Sequence, residues 1–112
     1  MSMKSRGKKY YYIYIVASIN KVIYVGFTDC LLKRIREHKN GKYENTFSKK
    51  YKTNKLVYWE QLLSCDEAFQ RERQIKKWRR DKKVELIEEH NQDWNDLYPD
   101  IIELSKLNSR IY

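Results

Sequence analysis

Two aromatic, β-branched stretches set the strongest limit on how this chain can fold: Tyr10 to Val16 and Val22 to Phe27. Such residues suit a pleated surface. The connection between them, Ala17 to Lys21, is short and carries Asn20, a turn-forming residue. The pair is predicted to form a β-hairpin. On the period of two, Tyr12 and Tyr14 share one face of the first strand, with Ile13 and Ile15 on the other. In the second strand Tyr24 and Gly26 stand opposite Ile23 and Val25. Each strand therefore has a tyrosine face and an aliphatic face.

The rest of the chain alternates between helical and extended patterns. Thr28 or Asp29 can cap a helix from about Cys30 to Lys39, which Asn40-Gly41 ends. Gly41 to Asn54 reads as a basic loop with Phe47 and Tyr51. Leu56 to Leu62 reads as a third strand. Ser64 to Asp66 opens a helix that runs to about Trp78, and Asp81 can cap another to about His90. Asn91 to Leu97 is a turn with Trp94, and a last short helix can follow Pro99. The expectation is a small α/β domain, a three-stranded antiparallel sheet flanked by helices in the order β-β-α-β-α-α. Residues 1–9 are expected to form a basic, disordered start or phosphate-touching arm, and 98–112 a peripheral acidic extension.

At 112 residues the chain has room for one domain. It has no apolar run as long as a membrane span, so no membrane is expected and the setting is cytoplasmic. Cys30 and Cys65 lack His or Cys neighbours at metal spacing and read as reduced thiols, not zinc ligands. The charge is uneven. Residues 1–83 carry 22 Lys and Arg against 8 Asp and Glu, whereas residues 84–112 carry 2 against 7. A basic body of this kind suits a polyanion partner. The same balance would also serve as a solubilising surface, and charge alone does not say which polyanion is bound or whether it is cut.

Glu72 is the first candidate for chemistry. Ala68, Phe69 and Ile75 lie on its side of the helix by spacing. A carboxylate beside apolar residues is costly unless paired or metal-bound. Arg71, Arg73, Lys76 and Lys77 surround it with positive charge suited to phosphate. One hard carboxylate in such a field suits Mg²⁺, which keeps most of its waters. The competing reading is a structural ion pair. On the first helix, Leu31, Arg34, Ile35 and His38 share a face. Arg34 can hold a phosphate, and His38 can position water or relay a proton. The plainer alternative is a snorkelling Arg and a hydrogen-bonded His. Tyr14 and Tyr24 can stand side by side across the hairpin, where a nearby cation would favour the phenolate. Gly26 on the same face permits close approach of another group. Packing with satisfied hydroxyls is the ordinary role of such tyrosines.

The order of these features resembles the GIY-YIG nuclease family. Tyr12-Ile13-Tyr14 and Tyr24-Val25-Gly26 precede a helix with Arg34 ten residues beyond Tyr24, and Glu72 lies on a later helix. The resemblance covers about residues 10–97. It is nearest to small stand-alone bacterial members similar to the N-terminal domain of the excision-repair nuclease. The runs Phe47 to Tyr51, Glu67 to Trp78 and Asn91 to Leu97 also look like that subgroup. The resemblance implies a Mg²⁺- or Mn²⁺-dependent endonuclease acting on DNA phosphodiester bonds, in repair or recombination. By position, Tyr14 and Tyr24 would be the paired motif tyrosines, one of them activating or orienting water. Arg34 would stabilise the phosphate, His38 would assist proton transfer, and Glu72 would be the sole carboxylate metal ligand. Asn91 matches a polar residue near the site in relatives. Tyr12 stands where the family name has Gly, and Phe27 where several relatives carry a Lys.

For DNA the expected phosphate contacts are Lys33, Arg36, Lys39, Lys49, Lys50, Arg71, Lys76, Arg79 and Arg80. Such contacts make binding salt-sensitive and weakly sequence-selective. Phe47 or Tyr51 could stack on a base or pack beneath the loop. A homodimer, a protein partner for the acidic tail and a nucleoid association are compatible with this reading. The alternatives are a nucleic-acid-binding module of the same fold without turnover and a basic RNA-binding protein.

Overall fold

The computed structural model describes residues 9–41 and 50–107. Three strands form one antiparallel sheet: β1 (Tyr11–Ala17), β2 (Ile23–Thr28) and β3 (Lys55–Leu62), in the order β2-β1-β3. The helices described are α1 (Leu31–Lys39), α2 (Cys65–Lys77), α3 (Arg80–His90) and α4 (Tyr98–Leu107). The expected fold class and element order are thus met. Lys21, with φ 65°, takes the left-handed position of the hairpin turn beside Asn20. Ser18 Oγ closes that turn by accepting from the Asn20 and Val22 N–H groups.

The two faces anticipated for the hairpin are covered by different helices. Ile13, Ile15, Val25 and Val57 pack with Ala68 and Ile75 of α2 and Ile87 of α3. Tyr12, Tyr14, Val16 and Leu56 pack with Leu31 and Ile35 of α1 and Ile101 of α4. Alternation therefore sends each strand's two residue sets into two separate cores. None of the described helices is long and apolar enough to cross a membrane.

Local chemistry explains most boundaries. Ser64 caps α2 by accepting from Glu67 N–H at 3.1 Å. Gly41, with φ +64°, takes the left-handed turn that ends α1. Asp81, expected as a cap, instead sits inside the first turn of α3, because Trp78 and Arg79 are extended and the cap falls two residues earlier, at Arg79. The stretch after residue 97, expected as peripheral, supplies a core residue: Ile101 is fully buried. Asp96 anchors that stretch by accepting from the Leu56 and Tyr98 N–H groups and pairing with Lys39. Residues 108–112 of the expected extension and 1–8 of the expected arm lie outside the described residues. Lys9 pairs with Asp29 at 3.0 Å.

Candidate active site

Tyr14 lies on the central strand, and its register partner on β2 is Gly26. The absence of a side chain there matters. A Cβ on Gly26 would fall 2.5 Å from Tyr14 Oη and 2.6 Å from its Cζ. The phenol thus lies flat across the bare backbone of the edge strand, and Tyr14 is 1% exposed. Its hydroxyl shares a 3.0 Å hydrogen bond with His38 Nε2. Tyr24, diagonal to Tyr14 across the hairpin, completes a three-ring cluster. Its centroid is 6.5 Å from that of Tyr14 and 5.7 Å from that of His38.

α1 aims its residues by spacing. Leu31, Ile35 and His38 follow one buried stripe, and Arg34 falls at its margin. Arg34 Nε lies 3.5 Å from Glu37 Oε1. Glu37 is only 13% exposed, and the sequence reading missed it. The signal that could have found it is a carboxylate three residues after Arg34. Arg34, Glu37, Lys33 and Thr28 line a small polar recess beside the cluster.

Burial, and secondarily the Arg34 charge, push the His38 imidazole down to about 4, against the opposing pull of Glu37. The ring is therefore neutral at neutral pH. An unfolded chain, with His near 6.5, binds the proton more readily in the window from 6.5 to 4. Stability must therefore fall as pH drops through that window, by about 2 kcal/mol once partial solvent access is allowed for. Urea unfolding at pH 7 and pH 4.5 checks this. The wild-type loss should exceed that of His38→Gln by about this amount, and equal losses would mean that His38 is not held neutral.

Glu72 belongs to a different part of the molecule. α2 covers the aliphatic face, whereas the three rings stand on the tyrosine face. The two groups approach each other around β2, the edge strand. Lys76 makes the link: its Nζ is 3.3 Å from Glu72 Oε2 and 5.5 Å from the Tyr24 ring centroid. Glu72 is 14% exposed, at the margin of the Ala68–Ile75 stripe. Phe69, expected on the same apolar face, is 43% exposed. At about 100° per residue it lies well round the helix from Ala68, with Glu72 between.

No group of three or more His, Cys, Asp or Glu able to hold a metal comes together among the described residues. A lone carboxylate does not make an all-protein cage. It fits a hydrated hard cation that takes its other ligands from water and phosphate.

Several expected contacts have other work. The Asn91 amide donates to Val57 O at 3.0 Å and Asn95 O at 2.8 Å, and accepts from Asn95 N–H. Val57 lies where the β1–β3 register shifts, so Asn91 satisfies a carbonyl at a bulge on the strand furthest from β2. Arg71 binds Glu60 through two nitrogens, at 2.9 and 3.2 Å. Lys39 is tied to Asp96 and to Asn54 O. These three are structural ties. Lys33, Arg36, Lys50, Arg79 and Arg80 are exposed, although Arg80 also donates to Lys21 O. Lys49 and Phe47 lie outside the described residues. Phe27 points to the aliphatic face and packs edge-on against Phe69 at 6.3 Å.

The GIY-YIG catalytic-domain family model matches residues 10–85. A UPF0213 protein of Syntrophus aciditrophicus is 38% identical over 79 residues, 70% of this chain and 91% of the relative. One from Staphylococcus saprophyticus is also 38% identical over 79 residues, covering 70% of this chain and 95% of the relative. The solution NMR structure of a UPF0213 protein from Bacillus halodurans superposes with a TM-score of 0.51 at 25% identity, covering 78% of this chain and 92% of that one. Pattern, rings and fold agree, and the chain belongs to the GIY-YIG catalytic-domain family of nucleases.

Proposed function

We propose that this protein is a Mg²⁺- or Mn²⁺-dependent endonuclease that hydrolyses DNA phosphodiester bonds with little sequence selectivity. The observation that carries the reading is the Tyr14–His38 hydrogen bond, buried under Gly26 and Tyr24 at the edge strand that Glu72 and Lys76 approach. With the His38 proton on Nδ1, the Tyr14 hydroxyl donates to Nε2. Its lone pairs could then accept from a water brought in with the substrate, and a proton taken from that water can pass on to His38. Tyr24 fixes the other side of the water site. Arg34, oriented by Glu37, meets the charge that grows on the phosphate oxygens. The water oxygen bonds to phosphorus as the bond to the leaving oxygen breaks, and the leaving oxygen takes up a proton from solvent. Glu72 is the side chain that would hold the divalent ion, which supplies Lewis-acid stabilisation of the phosphate when bound. Weak selectivity follows from the exposed cations, which offer phosphate contacts rather than base readout. Such an activity would suit branched intermediates of repair or recombination.

The Phe27–Phe69 contact favours a second reading. Position 27 packs against α2 and brings no charge to the tyrosines, as a binding module without turnover would allow. Supercoiled plasmid and a branched DNA substrate, incubated with Mg²⁺ or Mn²⁺ and then with excess chelator, separate the two. Cleavage is expected with either ion and should vanish on chelation. Binding with equal, trace cleavage under all conditions would leave the binding module.

A further inference from the structure

Phe69 is the large apolar side chain nearest in sequence to Glu72 that stays in solvent. Single exposed apolar residues are common on protein surfaces. This one is organised. Phe27, on the aliphatic side of β2, meets its ring edge-on at 6.3 Å and 66°. Arg73, one turn further along α2, sets its guanidinium 5.4 Å from the ring centroid. The ring thus has an apolar support at Phe27, a planar cation over it at a loose 5.4 Å that leaves room to shift, and 43% of the residue exposed.

The surroundings define the ligand. Lys76 and Lys77 follow on the same helix and are exposed. A flat apolar face next to clustered positive charge is complementary to a nucleobase and its phosphate. A base inside a duplex has both faces covered by its neighbours, so the platform suits one that has left the stack. Its position gives the register. Phe69 precedes Glu72 by three residues, and Phe27 directly follows the Gly26 on which Tyr14 rests.

We propose that Phe69, supported by Phe27 and flanked by Arg73, is a stacking platform for one unstacked base beside the phosphate held at the Tyr14–Glu72 site. The placement beside the scissile phosphate rests on the nuclease reading, whereas the stacking itself does not. The preferred substrate is then DNA with a single-stranded or distorted segment at the cut.

Binding without cleavage tests this. Labelled single-stranded and blunt duplex oligonucleotides of equal length are titrated with protein in chelator at fixed salt, and anisotropy is read. Phe69→Leu keeps the apolar cover on Phe27 and removes the aromatic face, whereas Phe69→Tyr keeps both. The leucine variant should bind the single strand about tenfold more weakly and the duplex unchanged, with the tyrosine variant near wild type. The salt slope should be unaltered in both, because no phosphate contact is removed. Wild-type single-strand affinity in Phe69→Leu, or equal losses on both DNAs, would overturn the proposal. So would a change of oligomeric state on size exclusion in place of a change in DNA affinity, since that would make the face a contact between copies. Because no divalent ion is present, a protein that stacks but never cuts fails only the nuclease reading.

Discussion

Glu72→Gln is expected to lower divalent-dependent cleavage by about 10³-fold while leaving folding and DNA binding in place. A Lewis acid at the phosphate is worth several kcal/mol, and each 1.36 kcal/mol is about tenfold in rate. Among the described residues no cluster of three or more metal-ligating side chains stands ready to take over the ion. The pair with Lys76 is an i,i+4 contact on a partly exposed helix face, worth about 0.3–0.5 kcal/mol, so the unfolding midpoint should barely move. Removing one negative charge from a surface rich in Lys and Arg should hold DNA affinity constant or raise it slightly. Plasmid nicking, urea unfolding and filter binding on one preparation read all three. Cleavage at the wild-type rate by Glu72→Gln would refute the assignment. A parallel loss of cleavage and folding would instead mark Glu72 as a structural partner of Lys76.

The fold was legible where its causes are local. Alternation in Tyr10 to Val16 and Val22 to Phe27 dictated two faces, and these became two separate cores. Ser64 and Gly41 marked helix ends because a cap and a left-handed turn each depend on one residue. What escaped notice depends on contacts between distant residues. The acidic composition beyond residue 84 hid Ile101, since composition averages over the single side chain that docks a helix. The shift at Val57 leaves no pattern of its own, so Asn91 looked like a site residue when its partners are main-chain atoms of β3 and the following turn. Lys39 and Arg71 looked available for phosphate because Asp96 and Glu60 are remote in sequence.

The site was legible in part for the same reason. Period two put Tyr14, Tyr24 and Gly26 on one face, and helical spacing turned His38 towards it, which together account for the hydrogen bond across 24 positions. Spacing within a helix does not say which face of the sheet the helix covers. Glu72 therefore could be placed at an apolar margin, but not over the aliphatic side and around the edge of β2 from the rings. Spacing puts Phe69 on the same face as Glu72, because the two lie within one turn of each other. The angular difference between positions 68 and 69 decides the matter and puts it in solvent.

Gly26→Ala should be the most damaging of the small substitutions. The added methyl would fall within 3.0 Å of three Tyr14 ring and hydroxyl atoms. The ring has little room to yield, because it is almost fully buried, bonded to His38 and packed beside Tyr24. Overpacking of this kind costs about 1–3 kcal/mol. The functional loss should be larger than the stability loss suggests, since a shift near 1 Å at a reacting group lowers the rate by about 10²-fold. Gly41→Ala is the control. A Cβ there meets nothing within 4 Å, although its φ of +64° disfavours any side chain. That variant should lose about 1 kcal/mol with cleavage unchanged. Urea midpoints and cleavage rates for both, measured below their unfolding transitions, give the comparison. If Gly26→Ala cleaves like Gly41→Ala, the Tyr14 hydroxyl does not need the seat that Gly26 provides, and its role in activating water fails with it.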